Sequence, residues 1–330
     1  YYHYPIGSVY AALIPTLARR GNPTEFTPPL NWITVGKLTP ASLDRAPRQR
    51  QLWESLSNVG PVTTDEARKY GATLPLLRKL EERGAIVSQV DRADYRINRS
   101  DIKPTSEQTA AIRAITANLN QFAVNTLYGV TGSGKTEVYL RVIENVLKQK
   151  KQALVLVPEI ALTPQTTARF IERFGAAGVI HSAESDRERF RTWARVANGE
   201  HQILIGTRSA IFSNFRDLGV IVVDEEHDPS FKQSEGLRYS ARDVAVIRAQ
   251  MLGIPCVLGS ATPSLETLAN VDRKRYSMSR ISVRPGSRKM PTFRVVDIRG
   301  QRLNGGLSEP LLTVIRQHLN NNAQVLVFIN

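Results

Sequence analysis

Two short stretches gather the residue types that handle phosphate. The first is GVTGSGKT, Gly129 to Thr136. It follows the G-x-x-x-x-G-K-[ST] pattern of a phosphate loop. Gly129, Gly132 and Gly134 let the backbone curl, so that the N–H groups along Val130, Thr131 and Ser133 face phosphate oxygens. Lys135 supplies a point charge for the β- and γ-phosphates, and Thr136 can place its hydroxyl on a magnesium ion. The second stretch is GVIVVDEEH, residues 219 to 227, where an apolar run ends in three carboxylates and an imidazole. Such a cluster beside a dry strand is costly without a cation. Asp224, the first polar residue after the run, is placed to hold Mg²⁺. Glu225 is placed to orient and polarise an attacking water. The chemistry expected is transfer of a nucleotide's terminal phosphoryl group to water, in which positioning and charge stabilisation supply most of the rate. His227 is expected either to couple this site to a neighbouring strand or to hydrogen-bond at the surface.

Such a pair of motifs needs a strand before each and a helix after the first. Apolar strand candidates are FAVNTLY, QALVLVP, GVIH, HQILIGT, GVIVVD and IPCVLGS. Between them lie the amphipathic segments TEVYLRVIENVLKQ, TPQTTARFIERF, DRERFRTWARVANG and SARDVAVIRAQML. Strands that are apolar throughout and alternate with helices predict an α/β fold, with a parallel sheet covered on both faces. Upstream, RQRQLWESL carries Leu52, Trp53 and Leu56 at helical spacing. VTTDEARKYG offers Thr64 or Asp65 as a cap, and TLPLLRKLEERG places Leu76, Leu77 and Leu80 on one face with Gly84 as a stop. These three short helices, with IVSQV and YRIN as a two-stranded wing, predict a small winged-helix-like unit. The alternative is a spacer that merely packs. The expected organisation is 1–40 as an N-terminal remnant and connection, 41–100 as the helical unit, 101–270 as the α/β lobe, 271–304 as a basic connection and 305–330 as the opening of another α/β lobe. In that last segment EPLLTVIRQHL is the helix and QVLVFI the strand.

The 330 residues carry a net charge of +14 and a single cysteine, Cys256. Lys and Arg outnumber Asp and Glu 14 to 9 over residues 1–100, 19 to 18 over 101–270 and 11 to 3 over 271–330. The excess sits on the flanks, which fits a polyanionic partner such as nucleic acid. No run approaches 18 apolar residues, so no membrane span is expected. One cysteine excludes a disulfide within the chain and favours a cytoplasmic setting. The opening YYHYPIG has no initiator Met, and the chain is expected to be a fragment.

GVTGSGKTEVYL, VPEIALTPQ, IGTRSAIF, VVDEEH and GSATPS, in this order, resemble the motifs of a superfamily 2 helicase motor, and within it the bacterial replication-restart DNA helicases. The resemblance covers residues 104–330 strongly and the upstream part loosely. It implies a RecA-like P-loop NTPase lobe that uses ATP and Mg²⁺. Gln108 of SEQ would contact adenine, its amide offering both donor and acceptor; the alternative is a helix start capped by Ser106. Thr163, Gln165, Thr207 and Arg208 would grip the backbone of single-stranded DNA, or else cap helices and pair at the surface. In DPSFKQSEGLRYSARD, Phe231 and Tyr239 would stack on bases and Lys232, Arg238 and Arg242 would meet phosphates; the alternative is that Phe231 plugs the edge of the core. Ser260 and Thr262 would link hydrolysis to movement.

The resemblance further implies 3′-to-5′ unwinding at stalled forks, primosome assembly and replication restart, with forked and single-stranded DNA, single-strand-binding protein and other primosome proteins as partners and a nucleoid-associated location. Zinc belongs to the complete family, but its cysteine ligands are absent from this chain. With only the opening of a second lobe, this segment is expected to hydrolyse ATP poorly and not to unwind DNA alone. The competing readings are another superfamily 2 translocase and a DNA-binding scaffold switched by nucleotide.

Overall fold

The computed structural model describes residues 4–19, 30–35, 43–44, 46–90, 95–98, 102–282 and 293–328. The proline-rich stretch at 24–29 and the basic stretch at 283–292 lie outside the described residues. Residues 1–285 and 286–330 form two compact units.

The first unit opens with α1 (Ile6–Leu13) and α2 (Thr16–Arg19). The two helices are separate because Ile14, just before Pro15, is extended, as the proline ring demands. Next comes β1 (Leu30–Thr34), with α3 (Pro47–Ser57), β2 (Val62–Thr63), α4 (Thr64–Ala67), α5 (Leu74–Glu82) and β3 (Ile86–Val90). The three strands form an antiparallel sheet in the order β2-β1-β3. The helices close over a core that includes Trp32, Leu52, Trp53, Leu56, Leu77 and Leu80, with Leu76 packed against its edge. Two indole N–H groups are satisfied inside it: Trp53 donates to the Ala85 carbonyl at 2.8 Å and Trp32 to Thr64 Oγ1 at 2.9 Å.

The helical unit differs from expectation in three ways. The cap of α4 is Thr63, in a capping box with Glu66, rather than Thr64 or Asp65. The strand paired with IVSQV is Leu30–Thr34, from the segment expected to be an irregular connection. YRIN forms no wing strand. Instead the amides of Arg96 and Asn98 donate to the carbonyls of Phe174 and Arg173, each at 2.8 Å. Those carbonyls end a helix and lack intrahelical partners, so they compete for the segment.

The α/β part contains α6 (Ser106–Thr116), β4 (Ala123–Gly129), α7 (Lys135–Lys148), β5 (Gln152–Leu156), α8 (Pro164–Phe174), β6 (Gly178–Ile180), α9 (Asp186–Ala197), β7 (Ile203–Gly206) and β8 (Leu218–Val223). A short hairpin of β9 (Lys232–Gln233) and β10 (Tyr239–Ser240) leads to α10 (Ala241–Leu252), β11 (Pro255–Ser260), α11 (Leu265–Asp272) and β12 (Ser277–Ile281). Seven parallel strands lie in the order β12-β4-β11-β8-β5-β7-β6. Successive residues of β8 serve opposite faces. Val220 and Val222 join the core under α6, α7 and α8, whereas Ile221 and Val223 join the core under α9 and α10. Burial on both faces explains why these strands are apolar without alternation.

The sheet extends past the expected lobe boundary at 270. Ser277–Ile281 pairs along β4 as an edge strand. Its SMSRI sequence lacks the continuous apolar signal because an edge strand is covered less fully. In the second unit, α12 (Glu309–Asn320) forms as expected. Residues 323–328 form no strand, and Leu326 and Phe328 are exposed. A strand needs a hydrogen-bonded neighbour, and none of the described residues supplies one there.

Leu80 is fully enclosed in the helical unit. Leu80→Ala is expected to cost about 2–5 kcal/mol through lost burial and a residual cavity. Denaturant titration followed by tryptophan fluorescence checks this, since Trp32 and Trp53 report from the same core.

Candidate nucleotide and coupling site

The strand order brings three loops to one end of the sheet. β4 leads into the phosphate loop, β8 into the acidic turn and β11 into GSATPS, and β11 lies between the other two. This is the carboxyl edge of the parallel strands, where open α/β sheets place their ligands.

The phosphate loop closes tightly at the start of α7. Gly132 and Gly134 have φ of 80° and 84°, and Gly134 caps the helix. A Cβ on Gly129 would lie 2.5 Å from Ser133 Oγ. That hydroxyl is buried and has no hydrogen-bond partner among the described residues. Lys135 is 8% exposed. Its ammonium donates to the Gly129 carbonyl at 3.0 Å and meets Glu225 Oε1 at 3.3 Å. A hollow of about 680 Å³ is lined by residues 130–137, Asp224 and Glu225. It runs on past Leu140 to Asn98, Ile102, Arg169, Glu172 and Arg173. Lys135 and Asp224 thus face one cavity.

The acidic turn is held from both sides. The Asp224 amide donates to Leu156 O and the Glu226 amide to Gly259 O, each at 2.9 Å. Between them Glu225 has φ of 46°, a left-handed conformation uncommon for a side chain with a Cβ. Asp224 Oδ1 accepts from the Tyr139 hydroxyl at 2.8 Å and from the Glu225 amide at 3.1 Å. Burial pushes the Asp224 carboxyl up; the hydrogen bond from Tyr139 pulls it down, and the charge of Glu225 raises it again. Burial, and then the charge of Asp224, hold the Tyr139 phenol well above its ordinary range.

His227 Nδ1 lies 2.8 Å from Ser260 Oγ and 3.7 Å from Glu225 Oε2. Ser260 Oγ also accepts from the Thr262 amide at 2.9 Å. The three residues expected to couple the site to the next strand therefore stand together. Glu226, left without a role by the sequence, is buried. It accepts from the Ser264 amide at 2.7 Å, from Ser264 Oγ at 3.1 Å and from Arg242 at 3.2 Å. Arg242, expected to meet phosphate, is turned inward onto this carboxylate and onto Asp243.

Several other placements correct the sequence reading. Gln108 is 2% exposed and does not line the hollow. Its oxygen accepts from the Thr105 amide at 2.9 Å and its nitrogen donates to the Ser133 carbonyl at 2.8 Å. It closes a capping box with Thr105, not with Ser106, and ties α6 to the phosphate loop. An amide spent on both ends in this way is not presented to adenine. Phe231 is 2% exposed and packs in the core under α10, so it offers no stacking face. Tyr239 is half-buried, edge-on to Phe212 at 4.9 Å. Thr163 spends its hydroxyl on capping α8. Arg208 donates to the carbonyls of Ser230 and Lys232 at 3.0 Å each.

Thr207, Arg208 and Tyr239 line a common groove of about 370 Å³ with Ser230, Gln233 and Leu237. Thr163, Gln165, Lys232 and Arg238 are exposed outside that lining. Tyr139 is a site residue that no motif marks. Its signal was a lone hydroxyl on an apolar helix face four residues after Lys135.

A family model described as DEAD/DEAH box helicase matches residues 105–271. Over 210 residues, 63% of this chain, it is 50% identical to the replication restart protein PriA of Haemophilus influenzae, covering 29% of that protein. Over its whole length it is 36% identical to the replication restart protein PriA of Chlamydia trachomatis, covering 46% of that protein. The chain thus spans less than half the length of these curated relatives. The solved structure of RecG bound to a three-way DNA junction aligns with a TM-score of 0.43 at 23% identity, covering 58% of this chain and 25% of that one.

The Glu226–Arg242 pair generates a stability prediction. Arg242→Ala strands a carboxylate whose side chain is 0% exposed and is expected to cost about 3–5 kcal/mol. Arg242→Ala combined with Glu226→Gln should cost less than Arg242→Ala alone, because the stranded group is then neutral. Urea unfolding followed by far-UV circular dichroism measures both.

Proposed function

This chain belongs to the DEAD/DEAH box helicase family, and from that footing we propose that it is the ATP-hydrolysing part of a DNA helicase that acts in replication restart. The observation that carries this reading is the hollow shared by the phosphate loop and the acidic turn, with Lys135 3.3 Å from Glu225 across it. ATP and Mg²⁺ fit the residues present. The loop's two positive-φ glycines, the close approach at Gly129 and the unpartnered Ser133 hydroxyl form a cradle for phosphate oxygens. Lys135 neutralises the β- and γ-phosphates. Thr136 and Asp224 would hold Mg²⁺. Among the described residues no cluster of three or more His, Cys, Asp or Glu side chains could hold a metal ion, so Mg²⁺ would rely on phosphate oxygens and water for the rest of its shell. When bound, Mg²⁺ supplies charge to the triphosphate.

Glu225 is the general base in this reading. Its left-handed backbone turns its carboxylate into the hollow, where it orients water and takes up its proton. His227 and Ser260 would carry the state of Glu225 to the loop after β11. The groove that contains Thr207 and Arg208 is the proposed path of a single DNA strand, with Lys232 and Arg238 at its margin. The basic flanks would add attraction for DNA that does not depend on sequence.

Unwinding with 3′-to-5′ polarity, recognition of forked DNA, contact with single-strand-binding protein and primosome proteins, and a cytoplasmic, nucleoid-associated location are proposals for the protein to which this chain belongs. The names of the relatives support the place in replication restart, and the motif resemblance supports the rest. Among the described residues no helix is long and apolar enough to cross a membrane.

Hydrolysis in the full-length protein, with and without forked DNA, tests the reading. Lys135→Ala should abolish nucleotide binding and turnover. Glu225→Gln should keep nucleotide binding and lower turnover about 10²–10⁴-fold. Near-normal turnover in Glu225→Gln would refute the assigned base. A Lys135→Ala protein that keeps its cellular role without hydrolysis would favour a switched scaffold over a motor.

A further inference from the structure

Tyr139 stands where α7, the acidic turn and β11 meet. It lies three residues after Thr136 and four after Lys135, on the face of α7 that also carries those two residues. The side chain is 2% exposed. Its hydroxyl donates to Asp224 Oδ1 at 2.8 Å, and Oδ1 accepts a second bond from the Glu225 amide at 3.1 Å. Two donors use both lone pairs of that oxygen. Asp224 Oδ2 has no hydrogen-bond donor among the described residues.

The hydroxyl is also fixed from below. A Cβ on Gly259 would sit 1.6 Å from it and 2.8 Å from the ring carbon that bears it. The phenol therefore rests directly on the backbone of β11, and any side chain at 259 would lift it off Asp224. A tyrosine serving only as core filling would leave its hydroxyl unpaired and costly. Here the one partner it finds among the described residues is the carboxylate at the tip of β8.

We propose that Tyr139 is a positioning residue for the metal-binding carboxylate. By occupying Oδ1, it commits Asp224 to meet Mg²⁺ through Oδ2 alone. The helix that offers Lys135 and Thr136 to the phosphates thereby also sets the carboxylate that shares their cation, and Gly259 is required so that the hydroxyl can reach it. Without the hydroxyl, Asp224 is free to rotate toward the Lys135 ammonium across the hollow, which draws it away from the metal. This inference rests on the nucleotide reading of the hollow.

The test is binding of a fluorescent ADP analogue to the full-length protein, titrated with Mg²⁺ and repeated in EDTA, with thermal unfolding measured in parallel. In Tyr139→Phe the ring is retained and only the hydroxyl is lost. The Mg²⁺ concentration for half-maximal enhancement of binding should rise about tenfold, as expected for a lost hydrogen bond to a charged group. Binding in EDTA should stay close to wild type, and the melting temperature should fall only by the modest amount that one lost hydrogen bond entails. Gly259→Ala keeps every hydroxyl but displaces this one, and should give the same shift. If Tyr139→Phe keeps the wild-type Mg²⁺ dependence, or if it weakens binding equally with and without Mg²⁺, the inference is overturned and the hydroxyl is structural. If the wild-type protein itself shows no Mg²⁺-dependent nucleotide binding, the reading of the hollow fails instead.

Discussion

Two adjacent carboxylates at the end of a strand buried on both faces are the constraint on which the rest of the site depends. Asp224 and Glu225 repel each other, and burial penalises the charge on Asp224. The fold meets this with one cation and two hydrogen-bond donors. Lys135 approaches Glu225, and Tyr139 and the Glu225 amide approach Asp224. Lysine and phenol both come from the first two turns of α7. The phosphate loop and the acidic turn are therefore not independent motifs that happen to be neighbours. One helix start balances the other loop's charge, and a metal-bound triphosphate would enter a site already arranged around that balance.

A second buried carboxylate does different work beside it. Glu226 points away from the hollow and joins Arg242, at the start of α10, to Ser264, the last residue of GSATPS. The hairpin loop at 232–240 leaves the acidic turn through Phe231, which is sunk in the core, and returns at Arg242. One end of that loop is thus anchored in the core through Phe231, and the other is tied to the acidic turn through Arg242 and Glu226. His227 and Ser260 make a parallel link to the end of β11. The acidic turn is thus joined to the start of α10 by a buried ion pair and to the end of β11 by a half-exposed hydrogen bond.

Several site residues have side chains that suit two different partners. Glutamine at 108 can read a base or bridge two backbone groups, and here it bridges. Phenylalanine at 231 can stack on a ligand or fill a core, and its burial decides for the core. Arginine at 242 can face solvent phosphate or a buried carboxylate, and Glu226 claims it. In each case the residue type defines a set of partners, and only the three-dimensional neighbourhood selects among them.

The sequence by itself determined the α/β lobe, the positions of six of its strands and the two motifs, phosphate loop and acidic turn, that line one hollow. Those features arise from local patterns: apolar runs that must be dry on both faces, glycines at fixed offsets, and charge at a strand end. The tertiary structure alone decided which strands adjoin. It placed β11 between β4 and β8, it added an edge strand at 277–281 that has no strong apolar signal, and it paired Ile86–Val90 with Leu30–Thr34, far apart along the chain. It also decided that Tyr139 serves Asp224, 85 residues away, over a glycine in a third segment. Hydrogen bonds and steric fit between distant segments depend on where folding brings them, and no local pattern encodes that meeting.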